Sequence, residues 1–180
     1  GMERSRRGFL SMAAGAAGSL WLGGKVSAVS TDNKVAKVTI DRIEAFALVY
    51  PTKGRFKFFE DARGNNTGRP TVVVKITASD GTVGWGQSVP TPRWSYETLE
   101  SAYYTITRHL GPALVGKDPF DHEGISKAME TFIAPSFSTG QPICKAGIDL
   151  ALFDLTGKLE ERSAFERWNR RGSDRVLLSW

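Results

Sequence analysis

Thr71-Val72-Val73-Val74-Lys75-Ile76-Thr77, the turn Ser79-Asp80-Gly81 and the run Thr82-Val83-Gly84-Trp85-Gly86-Gln87 make up the stretch that decides the fold. The first run is β-branched and reads as a strand. Asp80-Gly81 supplies the pair that a tight hairpin turn takes at positive φ, so residues 82–87 are the returning strand. Gly84 and Gly86 flank Trp85, and glycines inside a strand mark a bulge or a place where another backbone or a ligand comes close. Pro90 and Pro92 end the pairing. Ser95 reads as the N-cap of a following helix, with Glu97 in its first turn where a negative charge suits the helix dipole. Residues 90–94 are then an exposed loop pinned at both ends, a place where specificity is often carried.

Working upstream, Val38 to Tyr50 alternates well enough to be a first strand, and Pro51 ends it. The segment to Pro70 mixes Lys53, Arg55, Lys57 and Arg63 with Phe56, Phe58 and Phe59, and closes in Gly64-Asn65-Asn66-Thr67-Gly68, which are turn residues. A long loop of this kind inside a compact domain is functional or mobile. The three strands form an antiparallel meander whose single buried face needs helices to cover it, which predicts an α+β fold.

The helices follow. Residues 96–110 place Leu99, Ala102, Tyr103 and Ile106 at helical spacing, Gly111-Pro112 reads as the stop, and His109 in the last turn as a charge partner for the helix end. Asp118-Pro119 reads as an N-cap with a first-turn proline, opening a helix through about Phe132. Asp121, His122 and Glu123 are consecutive and face different directions, which argues against a metal site. Pro142 opens a long helix with Ile143, Ala146, Gly147, Leu150, Ala151, Asp154 and Leu155 on one stripe, whose small residues imply close approach to another element. Asp149 and Asp154 lie on opposite sides of that helix, so capping or surface roles fit them better than a carboxylate pair.

With 180 residues, 41% of them hydrophobic and 11% aromatic, the chain can bury one sizeable core. The net charge of +5 gathers at the ends, in Arg4, Arg6 and Arg7 and in Arg167, Arg170, Arg171 and Arg175. Solvated surface charge and a targeting segment account for it, and no nucleic-acid partner is expected. The lone Cys144 has no internal disulfide partner and reads as a buried structural residue. Ser5-Arg6-Arg7-Gly8-Phe9-Leu10 resembles the twin-arginine export motif, followed by a small-residue apolar run and the site Val26-Ser27-Ala28. Residues 1–29 are accordingly expected to be an export signal read through Arg6 and Arg7 by the twin-arginine machinery, with Gly1 ahead of Met2 an expression remnant. That places the protein in the periplasm or outside a bacterial cell.

The order of parts resembles one family. The meander, Gly84-Trp85-Gly86-Gln87 leading into Pro90-Thr91, the run Leu110-Gly111-Pro112-Ala113-Leu114-Val115-Gly116-Lys117-Asp118-Pro119, and Lys145-Ala146-Gly147-Ile148-Asp149-Leu150-Ala151-Leu152-Phe153-Asp154-Leu155 with Gly157-Lys158 look like the N-terminal capping domain of the enolase superfamily. Within it they resemble the muconate-lactonizing and dipeptide-epimerase group, on a mandelate racemase-like fold. Two departures stand out: Gln87 where the family usually has Glu after Gly-x-Gly, and Glu161 where it usually has Gly. Ser163 and Trp168-Asn169-Arg170 also replace the family's usual residues.

The resemblance implies a capping domain over residues 35–160 and, in residues 161–180, a connector and the first strand of a (β/α) barrel that continues beyond the chain. It implies abstraction of a proton α to a carboxylate, with the enediolate stabilised on Mg²⁺. The bases and metal ligands of the family sit on later barrel strands, so no catalytic or metal-binding residue is assigned here and this chain alone is expected to be inactive. The cap's part is to bind a small carboxylate substrate with the loops at residues 52–69 and 88–94, where Phe56, Phe58, Arg63, Thr91, Arg93 and Trp94 are the candidate contacts. A homo-oligomer is expected. Two classes stay open: a Mg²⁺-dependent racemase, epimerase or cycloisomerase, with an acid-sugar dehydratase as nearest competitor, and a non-catalytic exported binding module.

Overall fold

The computed structural model describes residues 37–169 and 175–178. The chain divides into two units, residues 1–33 and 34–180, and every described residue belongs to the second. The expected export signal, Arg6 and Arg7 included, lies outside the described residues.

Three antiparallel strands form one sheet in the order β1-β2-β3: β1 (Ile40–Tyr50), β2 (Arg69–Ala78) and β3 (Val83–Ser88). Their register sorts the side chains as period-2 alternation requires. Ile43 faces Ile76, Ala45 faces Val74 and Ala47 faces Val72 on the covered side, while Glu44 pairs with Lys75 and Phe46 with Val73 on the other. Val72, Val74 and Ile76 are fully buried beneath Ile106, Leu110, Ile148 and Leu152. Each such aliphatic side chain removed from water contributes about 1.5–3 kcal/mol. The predicted α+β meander covered by helices is the observed architecture.

The first helix differs from its expected form at both ends. It begins later: α1 (Leu99–Thr105) is capped by Thr98 in a reciprocal box with Ser101, and Ser95 is not the N-cap. Gly111-Pro112 does not stop it either. Pro112 has no amide hydrogen to donate to the carbonyl four residues back, and its ring crowds that turn. The helix passes through a π turn (Ile106–Leu110), in which Gly111 N–H donates to Ile106 O, and continues as α2 (Gly111–Leu114). It ends before Gly116, at φ +83°. His109 lies between the rings of Tyr104 and Phe132, at 5.8 and 6.4 Å.

α3 (His122–Phe132) is capped by Asp121, whose carboxylate accepts from Gly124 N. Asp118 caps only the preceding turn, through Phe120 N, so Asp118-Pro119 is a turn and not the helix start.

α4 (Pro142–Leu159) is the long central helix, and a short α5 (Ala164–Arg167) follows it. The buried face of α4 carries Cys144, Gly147, Ile148, Ala151, Leu152, Leu155 and Thr156, whereas Leu150 is exposed and Ile143 only half-buried. The expected stripe was therefore rotated by about one residue, because α4 is apolar on more than one side. Its small residues do what they predicted. A Cβ on Gly86 would overlap the Gly147 carbonyl oxygen, and one on Gly84 would overlap the Ala151 carbonyl oxygen, so the paired glycines of β3 let α4 lie directly on the strand. Asp154 and Lys158 then take up backbone groups of β3: Trp85 N–H donates to Asp154 Oδ2 at 2.8 Å, and Lys158 Nζ donates to Val83 O at 2.9 Å. This covers an otherwise open sheet edge. Asp149 is exposed, as its surface reading requires. Residues 175–178 carry neither helix nor strand, and Val176, Leu177 and Leu178 are exposed.

Candidate substrate pocket between two loops

At the end of the sheet where β1 stops and β2 begins, the segment between them folds back on itself. Asp61 organises it: its Oδ1 accepts from Arg63 N at 2.8 Å and Asn65 N at 2.9 Å, and its Oδ2 from Asn65 Nδ2 at 2.9 Å. The bonds from Asn65 foremost hold the Asp61 carboxyl below its ordinary pKa. Asn66 closes the base of the segment by donating to Thr52 Oγ1 at 2.6 Å. Gly68, at φ +77°, passes so close to Tyr50 O and Val49 that a Cβ would not fit.

The second loop, after β3, is locked to the first. Arg93 Nη1 donates to Glu60 O at 2.7 Å and Lys57 O at 3.1 Å, joining residues more than thirty positions apart. Trp94 stacks on Phe58 with ring centroids 5.0 Å apart and planes inclined by 13°. Phe56 packs on both Phe58 and Phe59, at 5.2 and 5.1 Å. The two segments share one aromatic cluster, so their mutual position is set by the fold.

Between them opens a pocket of about 510 Å³ lined by Phe56, Phe59, Arg69, Val89, Thr91, Trp94, Ser95 and Ile143. Of the six residues proposed from sequence, Phe56, Thr91 and Trp94 line it. Phe58 lies behind Trp94 as its stacking partner, and Arg93 is the tie between the loops. Arg63 is exposed on the Asp61 turn and is not among the lining residues. Sequence reading missed Phe59, Arg69, Val89, Ser95 and Ile143. Phe59 carries the same aromatic signal as its neighbours; Arg69 and Val89 fall within the two loops without being singled out, whereas Ser95 reads as an N-cap and Ile143 as a helix residue.

A buried acid positions the floor of this site. Glu97 is almost wholly buried, and its carboxylate accepts from Ile143 N at 2.8 Å and Cys144 N at 2.7 Å, capping α4 from forty-six residues away. It thus satisfies amides that the αL residue Gln141, at the N-cap, leaves without a side-chain acceptor. Burial and the neighbouring Glu97 push the Cys144 thiol up to about 12. The thiol is inert, as expected of a structural cysteine.

Residues 45–166 match the family model described as mandelate racemase / muconate lactonizing enzyme, N-terminal domain. The chain belongs to that family. It is therefore the N-terminal capping domain of an enolase-superfamily protein. This cap is 32% identical over 119 residues to the N-succinyl-L-Arg/Lys racemase of Bacillus cereus, covering 66% of the chain and 30% of the relative. It is 30% identical over 112 residues to a chloromuconate cycloisomerase of Cupriavidus pinatubonensis, covering 61% and 29%. Among solved structures, a dipeptide epimerase from Enterococcus faecalis, in complex with Mg and the dipeptide L-Leu-L-Tyr, superposes on the cap with a TM-score of 0.58. It is 29% identical and covers 68% of this chain and 32% of that one. The chain thus spans about 30% of the length of the curated relatives it matches. Members of the superfamily generally use Mg²⁺. Among the described residues, no three His, Cys, Asp or Glu side chains converge to hold a metal ion. The described part of the cap does not fit that cofactor.

Proposed function

We propose that this chain is the substrate-selecting cap of an isomerase, a racemase, epimerase or cycloisomerase that abstracts a proton α to a carboxylate with Mg²⁺ held outside the described residues. The observation that carries the reading is the pocket itself: two loops distant in sequence, tied by Arg93 and by the Phe58–Trp94 stack, enclose an aromatic space at one end of the sheet. Closing such a space over a substrate excludes water and decides what enters. The relatives' activities, racemisation, epimerisation and cycloisomerisation, support the class. The character of the walls favours it over an acid-sugar dehydratase. Polyhydroxylated substrates need several hydrogen-bonding partners, and here Phe56, Phe59, Val89, Trp94 and Ile143 dominate the lining.

The test is exchange of the α-proton for deuterium in D₂O by the full-length protein with Mg²⁺, followed by NMR over N-acyl amino acids, dipeptides and acid sugars, with cycloisomerisation of muconates followed alongside. Exchange on the first two groups, or cycloisomerisation of a muconate, supports the proposal. Dehydration of an acid sugar supports the competitor, and no turnover of any compound supports a binding module. Export by the twin-arginine pathway belongs to the same proposal and rests on Arg6-Arg7 within its apolar context. Replacing both by Lys is then expected to hold the protein in the cytoplasm on fractionation.

A further inference from the structure

We infer that the outer edge of β1 is a self-association surface, on which a second copy of the chain adds its own β1 antiparallel about a twofold axis at Ala47. That edge is occupied at its start, where Ile40 N–H donates to Lys117 O at 2.9 Å and Gly116 N–H donates to Ile40 O at 2.8 Å. From Arg42 to Tyr50 the backbone groups that point away from β2 meet no partner among the described residues. The opposite edge of the sheet is closed by Asp154 and Lys158 of α4. One open edge and one closed edge let pairing stop at two copies instead of running on into a fibre.

Natural edge strands are blunted by charges, prolines or bulges, and Ala45-Phe46-Ala47-Leu48-Val49-Tyr50 carries none of these. Phe46, Leu48 and Tyr50 are exposed on one face of the sheet. On the other, Val49 is 54% exposed, and Ala47 borders an apolar groove of about 630 Å³ that runs along Leu99, Tyr103 and Tyr104 of α1. The exposed parts of Phe46, Leu48, Val49, Tyr50, Tyr103 and Tyr104 amount to roughly 500 Å² per copy, taking ~150–250 Å² for each whole aromatic side chain. With the strand backbone and its polar neighbours that approaches the ~800 Å² per partner of a stable dimer. A second copy is the occupant this strand complements. A twofold at Ala47 pairs Phe46 of one copy with Leu48 of the other and Ala45 with Val49, with no charge inside the apolar run, and it brings Asp41 at the start of each strand opposite Lys53 beyond the end of the other. Strands about 4.8 Å apart then put the two α1 helices, each lying over its own β1 and β2, roughly 10 Å from one another, the separation at which helices pack, so the two grooves close on each other.

The test uses the full-length protein at micromolar concentration. Ala47→Cys is expected to be linked into a disulfide dimer in the majority of chains on mild oxidation, because residues that face themselves across an antiparallel pair have Cα atoms about 4.5–5.5 Å apart, within disulfide reach. Tyr50→Cys, whose two copies would stand about 20 Å apart, is expected to give no such dimer. The parent is the background, since Cys144 is buried. Leu48→Lys, which supplies the charge that open edges elsewhere carry, is expected to halve the mass or more in light scattering. Leu48 is exposed, so that variant should fold, and circular dichroism checks this. A monomeric parent, with the edge left to another protein or to another part of the chain, overturns the inference. So does linkage of Ala47→Cys no greater than that of Tyr50→Cys, or an unchanged mass in folded Leu48→Lys. Should Leu48→Lys lose its fold, the contrast between the two cysteine variants decides alone.

Discussion

The guanidinium of Arg93 donates to the backbone carbonyl of Glu60 at 2.7 Å, and this one contact makes a single wall out of two loops on either side of the β2–β3 hairpin. A charged donor spent on main-chain carbonyls fixes geometry without requiring any particular partner side chain. It also accounts for why the loop at residues 88–94 stays in place although Pro92, Arg93 and Trp94 are all exposed.

Arg93→Ala is expected to loosen both loops while lowering global stability by no more than about 1–2 kcal/mol, since the lost bonds are charge-assisted but exposed. Hydrogen exchange should show faster exchange at Asp61 and Thr67, whose amides close the first loop, with the amides of β2 unaffected. Uniform acceleration across the domain would mean that Arg93 supports the core.

Glu97→Gln should cost about 2–3 kcal/mol in denaturant unfolding of the full-length protein. A neutral amide offers one acceptor oxygen where the carboxylate serves two backbone donors, and its NH₂ group faces one of those donors. Glu97→Ala should cost more, because both amides are then left unpaired in a buried place. Parental stability in both variants would remove Glu97 from its capping role.

Much of this was legible in the sequence, and the failures have identifiable causes. The meander was readable because residues 71–77 are a β-branched run and Asp80-Gly81 turns the chain, with Gly81 at φ +89°. The helix starts were misplaced by three residues because Ser95 and Thr98, and likewise Asp118 and Asp121, are both competent caps, and tertiary packing chose the second of each. Glu97 looked like a first-turn acid of the nearest helix, and nothing local shows that it serves a helix at residue 142. The aromatic half of the pocket was visible in Phe56 and Trp94. Its charged member was not, since Arg69 stands at the very end of the loop at residues 52–69, and Arg63 and Arg93 were the more conspicuous loop cations.

Gly86→Ala should destabilise the cap by about 3 kcal/mol or more, at the upper end of overpacking costs, because the new methyl meets α4 backbone that has no rotamer to yield. Gly81→Ala is a useful contrast: its turn has open space, so the cost there comes from positive φ alone, about 1–2 kcal/mol. Thermal melts of the two variants should rank in that order, and equal melts would show that β3 and α4 can separate cheaply.

Cys144 should resist iodoacetamide at pH 8 in the folded protein and react once denaturant unfolds it, since a thiol raised to about 12 carries almost no thiolate there. The linkage has a definite sign. The folded pKa lies above the ordinary thiol value of about 9.0, so this contribution to stability is complete below pH 9 and is lost as pH rises from 9 toward 12. Rapid native labelling at pH 8 would contradict the buried placement.

The central claim, that these loops select substrate for chemistry performed elsewhere, is tested most directly by Trp94→Ala in the full-length protein. Trp94 is 73% exposed, so truncating it should change stability by less than about 1 kcal/mol, unlike the emptying of a buried aromatic site. Measured together, kcat/KM for the preferred substrate should fall at least tenfold or the substrate preference invert, while Mg²⁺ affinity stays within about twofold of the parent. A folded variant that turns over every substrate like the parent, or one that loses Mg²⁺ binding along with activity, would contradict the account.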